Sequence, residues 1–169
     1  MANTQSMCTS FLGQLLTGKH NFGVGTVRGT TAADTFNAAL FLVSATVDAS
    51  TTLYTGTLAT TAMTGEVSGT GYTAGGIAVT NATPPASANT SATAGTGYWT
   101  PSASLVYTTV TLATAFDSVL IFNVTQGTAA NYPTVSVHKF GSQTITAGTF
   151  TLTMPNPAAA TALLRLATT

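Results

Sequence analysis

Between Thr64 and Asn81 the chain reads TGEVSGTGYTAGGIAVTN, a glycine-rich turn region that runs straight into a strand-like segment. Gly69, Gly71, Gly75 and Gly76 permit positive φ and close approach of another backbone, freedoms that other residues have only at steric cost. Beyond them Ile77 and Val79 alternate with small or polar residues, the period of a strand with one buried face. A chain built around a turn that delivers a strand folds as a sheet.

The rest of the sequence repeats this pattern. In Thr35–Val47, Phe36, Ala38, Leu40 and Leu42 alternate with Ala39, Phe41 and Val43, so both faces are apolar and the strand belongs in the middle of a sheet. A short strand is expected at Leu53 and Tyr54, another over Leu105–Val110, and the most buried one over Val119–Val124. Val135 and Val137 point one way while Ser136 and His138 point the other, a strand with a wet face. Phe150, Leu152 and Met154 alternate with threonines until Pro155. Ala158–Ala167 has helical propensity, but Ala162, Leu164 and Leu166 alternate, and among so many strands it reads as a closing strand. Asn21–Arg28 is a first strand or an extended arm.

One helix is expected, over Thr4–Thr17. Met7, Cys8, Phe11, Leu12, Leu15 and Leu16 share a face, Asn3 or Thr4 caps the start, and Gly18 ends it. It packs either across the open end of its own sandwich or on a partner. Asn81–Gly97, with Pro84-Pro85 amid Ala, Ser, Thr and Asn, has little to bury and reads as an extended surface loop. Tyr98 and Trp99 then restart order. With 169 residues and no linker, the expectation is a single domain spanning 1–169: an all-β, jelly-roll-like β-sandwich with one short N-terminal helix.

Charge narrows the function. Lys19, Arg28, Lys139 and Arg165 stand against Asp34, Asp48, Glu66 and Asp117, for a net charge of zero. Four scattered cations make no stripe for phosphate counterion displacement, so no nucleic-acid partner is expected. Nor is there a basic helix face for a membrane surface, or a run of the ~18 to 20 apolar residues a span needs. Ordinary domains carry about a quarter charged residues; here Thr, Ala, Ser and Gly take their place, and copies can pack closely without desolvating many ions. A lone cysteine, Cys8, rules out an internal disulfide, and no basic residue precedes Lys19 in the manner of a signal peptide, so folding in the cytoplasm is expected.

No reaction centre emerges. His20, His138 and Cys8 are widely separated and read as surface or capping histidines and a lone thiol, so no metal and no cofactor is expected. There is no GxSxG element, and the four acids lack an aromatic setting for a sugar. Glu66, just before the glycine-rich turn, is expected to accept turn N–H bonds or to pair with Arg28 or Arg165 rather than to catalyse. Gly69-Thr70-Gly71 with Gly75 is followed by a strand, whereas a phosphate cradle needs a helix N-terminus.

Five segments, MANTQSMCTSF (1–11), EVSGTGYTAGG (66–76), VLIFN (119–123), GTFTLTMP (148–155) and ALLRLA (162–167), together resemble a family of small structural proteins of tailed phages, in that family's order. The chain departs from it in the insert at 81–97. The resemblance implies a non-enzymatic virion protein on the capsid exterior, made in the host cytoplasm, with no small-molecule substrate. It would act as a decoration or cement protein bound to the major capsid protein shell, as a homotrimer. Interface candidates are Met7 and Phe11 on the helix, Pro84 and Pro85 in the loop, and Trp99, for which burial in its own core is the alternative. The other reading is a tail or fibre adhesion module, for which Tyr72, Tyr98, Trp99 and Tyr107 are the available aromatics.

Overall fold

The computed structural model describes residues 2–23, 32–90 and 93–167. In chain order the elements are β1 (Ser6–Met7), α1 (Thr9–Leu16), β2 (Phe36–Leu42), β3 (Leu53–Tyr54), β4 (Ile77–Ala78), β5 (Ala86–Thr90), β6 (Thr93–Trp99), β7 (Leu105–Asn123), β8 (Tyr132–Leu152) and β9 (Leu164–Ala167). The fold is all-β, with antiparallel sheets in a sandwich-like arrangement and, among the described residues, one short helix. One sheet has the order β1-β8-β7-β2-β4, with β3 also paired to β8; the second is β5-β6-β9.

The main sheet is organised on β2 and the adjoining half of β7. Phe36 lies opposite Asn123, Ala38 opposite Ile121 and Leu40 opposite Val119. Residues opposite one another share a face, so this set looks one way while Asn37, Ala39, Phe122 and Leu120 look the other. Both faces are covered. On one, Tyr54 from β3 lies flat on Phe122, ring centroids 4.2 Å apart. On the other, Phe22 stacks on Phe36 at 4.5 Å and tilts against Trp99 at 4.7 Å, joining the two sheets.

The glycine-rich turn does what its composition predicts. At Gly76, φ is +66°, and a Cβ there would overlap the carbonyl oxygen of Ala38. At Gly69 a Cβ would strike the carbonyl oxygen of Thr111. Glycine therefore lets this connection lie directly on β2 and β7.

Several expectations need correction. Leu105–Val110 and all but the last residue of Val119–Val124 are two ends of one 19-residue strand, β7, and the expected strands at 135–138 and 150–154 lie, up to Leu152, on one 21-residue strand, β8. Bulges hold this long ribbon together: its register shifts between Tyr107 and Val110, where Thr109 takes φ +53°, and Ala147 on the partner strand takes φ +46°. The turn chemistry that suggested breaks is absorbed by the bulges. Ser136 and His138 do not face water. Ser136 is opposite Ile121 and His138 opposite Val119, which puts them on the face that looks towards the second sheet, and Ser136 is fully buried.

The helix starts later than Thr4. Asn3 leaves the cap position because its side chain is used elsewhere, Ser6–Met7 pairs with β8, and Cys8 precedes the first turn without a side-chain cap bond. Phe11 is the buried residue of the helix, while Leu12 and Leu16 face solvent. Its end is as expected: Gly18 has φ +65°, its N–H donates to Leu15 O, and the Lys19 N–H donates to Gln14 O, the paired bonds of a Schellman cap. The surface loop expected at 81–97 is instead largely the β5–β6 hairpin, with Ala86 opposite Tyr98 and Ser87 opposite Gly97. Its small residues make poor core, but strands can form from them because β9 completes the sheet through Trp99↔Leu164 and Gly97↔Leu166. The expected closing strand is β9. The segment expected at 21–28 lies mostly outside the described residues.

Candidate functional site

A concave surface lies where α1 meets the second sheet. Met7, Phe11 and Leu15 line it together with Pro85, Tyr98 and Trp99 and with Leu164 and Leu166 of β9, around a volume of about 360 Å³. The lining is almost entirely carbon, with no formally charged side chain. A second cleft of about 320 Å³ between β8 and β9 shares Met7 and Leu164 with it.

Four of the five sequence candidates, Met7, Phe11, Pro85 and Trp99, line this one groove although they are up to 92 positions apart in the chain. Pro84 is exposed beside it, next to Gly23. Phe11 and Trp99 are buried, so they form the floor of the groove rather than protruding anchors. The Trp99 indole N–H donates to Asn81 Oδ1 at 2.9 Å, which fixes the ring. The accessible apolar surface comes from Pro85, which is exposed, and Leu166, 45% exposed, with Met7 and Leu15 half-buried. Of the four aromatics available to an adhesion module, Trp99 and Tyr107 are buried, and Tyr72 spends its hydroxyl on Glu66.

His20 and Phe22 are the groove residues that the sequence did not single out. The surface role expected of His20 is wrong: it is 7% exposed, edge-on to Phe11 at 5.1 Å. Its hydrogen bonds set its tautomer. Asn123 Nδ2 lies 2.7 Å from Asp34 Oδ2, and Asn123 Oδ1 accepts the Gln126 N–H at 3.0 Å; a carboxylate only accepts and an amide N–H only donates, so the Asn123 amide has one orientation. Its Nδ2 then donates to His20 Nδ1 at 3.0 Å, and His20 Nε2–H donates to Gln14 Oε1 at 2.7 Å. The neutral imidazole thus ties α1 to β7 at the back of the groove. Burial lowers its pKa to about 4, against the opposing pull of Asp34. The only available signal was the aromatic pair His20 and Phe22 two residues apart, an apolar strand-like face. His138 is half-buried against Ser136 Oγ at 2.8 Å, and burial lowers its pKa to about 4 as well.

Glu66 is a structural clasp. Its carboxylate accepts from Tyr54 Oη at 2.6 Å, Tyr72 Oη at 2.8 Å, the Gly75 N–H at 2.7 Å and the Met63 N–H at 2.9 Å. The expected turn N–H bonds are there; Arg165 is exposed on β9, and Arg28 lies outside the described residues. Burial and the neighbouring carboxylate raise the pKa values of Tyr54 and Tyr72, which keeps both hydroxyls as donors. Cys8 is fully buried, and burial raises its thiol pKa to about 11, which makes it a poor nucleophile.

Among the described residues no group of three or more His, Cys, Asp or Glu side chains could hold a metal ion, and no helix is long and apolar enough to cross a membrane. Compared with models of known protein families, with curated proteins and with solved structures, the chain finds no match.

Proposed function

We propose that this protein is a non-enzymatic structural component of a tailed-phage virion, a decoration or cement protein that sits on the outside of the major capsid protein shell and stabilises it. The observation that carries this reading is the uncharged apolar groove between α1 and the second sheet, which gathers Met7, Phe11, Pro85 and Trp99. A surface of this kind gains free energy by covering carbon rather than by pairing ions, and a nearly ion-free chain can bury its surroundings at little desolvation cost. The sequence resemblance supplies the virion setting. Binding only to the assembled shell would stabilise that shell by mass action, and a homotrimer suits the threefold positions between capsomers. The adhesion reading is less well supported, because its aromatic residues are largely committed to the core.

The test is the copy number of this chain per purified virion, by quantitative mass spectrometry against the major capsid protein. Hundreds of copies support decoration, because only the shell offers that many equivalent sites. A few copies to a few tens favour the tail, and absence from particles overturns both readings.

A further inference from the structure

Away from the groove, one cluster joins a lysine, a carboxylate and an asparagine amide. Asp117 on β7 is buried, and its two oxygens are divided between two nitrogens: Oδ1 accepts from Asn3 Nδ2 at 2.7 Å, and Oδ2 lies 3.3 Å from Lys139 Nζ. It is the one ion pair among the described residues. Lys139 Nζ also donates to the backbone carbonyl of Asn3 at 3.3 Å, so the amine is held against the residue whose amide shares its carboxylate. Asn3 is 2% exposed and its amide is fixed at every atom: Oδ1 accepts the Val47 N–H at 3.1 Å, and Nδ2 also donates to Leu42 O at 2.9 Å.

A helix-capping asparagine or a surface ion pair needs none of this. A carboxylate bridging an amine and a carboxamide, with a backbone N–H on the amide oxygen, is the equipment for acyl transfer between them: nucleophile, acid–base group and oxyanion donor. We propose that Lys139 and Asn3 form an intramolecular isopeptide bond, with Asp117 as the acid–base catalyst.

Asp117 takes a proton from the Lys139 ammonium, and the free amine attacks Asn3 Cγ. Negative charge develops on Oδ1, facing the Val47 N–H. Asp117 returns its proton to Nδ2 as the C–N bond breaks, and the new Nζ–Cγ amide gives up its extra proton to the departing ammonia. One amide bond breaks and one forms, and the nitrogen leaves as ammonium, so mass, charge and electrons balance with no oxidant or co-reactant. The side chain of Lys139 retains 40% of its surface, which gives the ammonium a way out. The product ties the segment before β1 to β8 across 136 positions. A protein with few ions would then hold its N-terminal segment by a covalent bond.

The experiment is intact-mass measurement of the full purified chain, followed by tryptic mapping. An isopeptide lowers the mass by one ammonia and removes the cleavage site after Lys139, so the peptide 1–19 appears branched onto 29–165. The sequence mass with normal cleavage at Lys139 overturns the proposal. So does ammonia loss with Lys139 still cleavable, which marks a succinimide at Asn3. K139R, which keeps the ion pair, restores the sequence mass if the bond forms as described, and a lower thermal midpoint in K139R reads the loss of the cross-link. D117A restores it too; a cross-link that persists in D117A overturns the role of Asp117.

Discussion

Glu66 carries four hydrogen-bond donors on one buried carboxylate, two from tyrosines and two from the backbone of the turn it precedes. Only an acceptor-only group of that shape satisfies all four. Glu66→Gln keeps the volume but turns one acceptor into a donor facing donors, and should cost about 2 kcal/mol or more. Urea unfolding of the variant is expected to show a lower midpoint with an unchanged slope; an unchanged midpoint would show that the clasp contributes nothing. At His20 the expectation concerns pH. The unfolded imidazole binds its proton at the ordinary value of 6.5, the folded one only near 4, so the unfolded chain holds more protons between those values. The contribution of this residue is complete above pH 6.5 and falls as pH drops through that window, by at most about 3 to 4 kcal/mol, at ~1.4 kcal/mol per pH unit. His20→Gln should lose less stability than the parent between pH 6.5 and 4.5 in paired urea titrations, and equal losses would remove His20 as the source. The sequence placed Glu66 at the turn correctly because both are local. It misplaced His20 because Asn123, which holds its Nδ1, is 103 positions away.

Two glycines in different elements should respond in opposite ways to the same substitution. Gly13 lies in α1 with nothing within 4 Å of the point where a Cβ would sit, so Gly13→Ala relieves helix entropy and should raise stability by about 0.5 to 1 kcal/mol. Gly76→Ala would drive a methyl into the Ala38 carbonyl at φ +66° and should lower stability by several times that, ~3 kcal/mol. Thermal melts of the pair test this, and equal effects would contradict the backbone contact at β2. Element type was legible where the period was strong: β2, β9, the short β3 and the end of α1 follow from alternation and from Gly18. Continuity was not. β7 and β8 run through polar, turn-like stretches because a partner strand of matching length satisfies their backbone groups, and bulges take up the misfit. The β5–β6 hairpin shows the same effect, since its small residues form strands in a sheet that β9 completes alongside β6.

For the whole molecule, the groove and the polar exterior make separable predictions. Leu166→Lys puts a charge on the rim of the groove at a position already 45% exposed, whereas Leu16→Lys puts one on a helix position that is 91% exposed and outside it. Both variants should fold. On the proposed decoration role, and added to capsid shells lacking this protein, the first is expected to bind at least tenfold more weakly, the scale of ~1.4 kcal/mol, and the second to bind like the parent; sedimentation with the shells reads both. Equal binding would move the contact off the groove. The sequence by itself determined the β class, the N-terminal helix with its glycine stop, the near-absence of ions and the turn at 64–81, because periodicity, propensity and left-handed glycine positions act over a few residues. Tertiary structure alone decided that Met7, Phe11, Pro85 and Trp99 meet at one groove, that His20 is buried behind it, and that Asn3, Asp117 and Lys139 meet at a single carboxylate. Those meetings depend on strand order and register, and pairings between strands tens of residues apart leave no local mark on either partner.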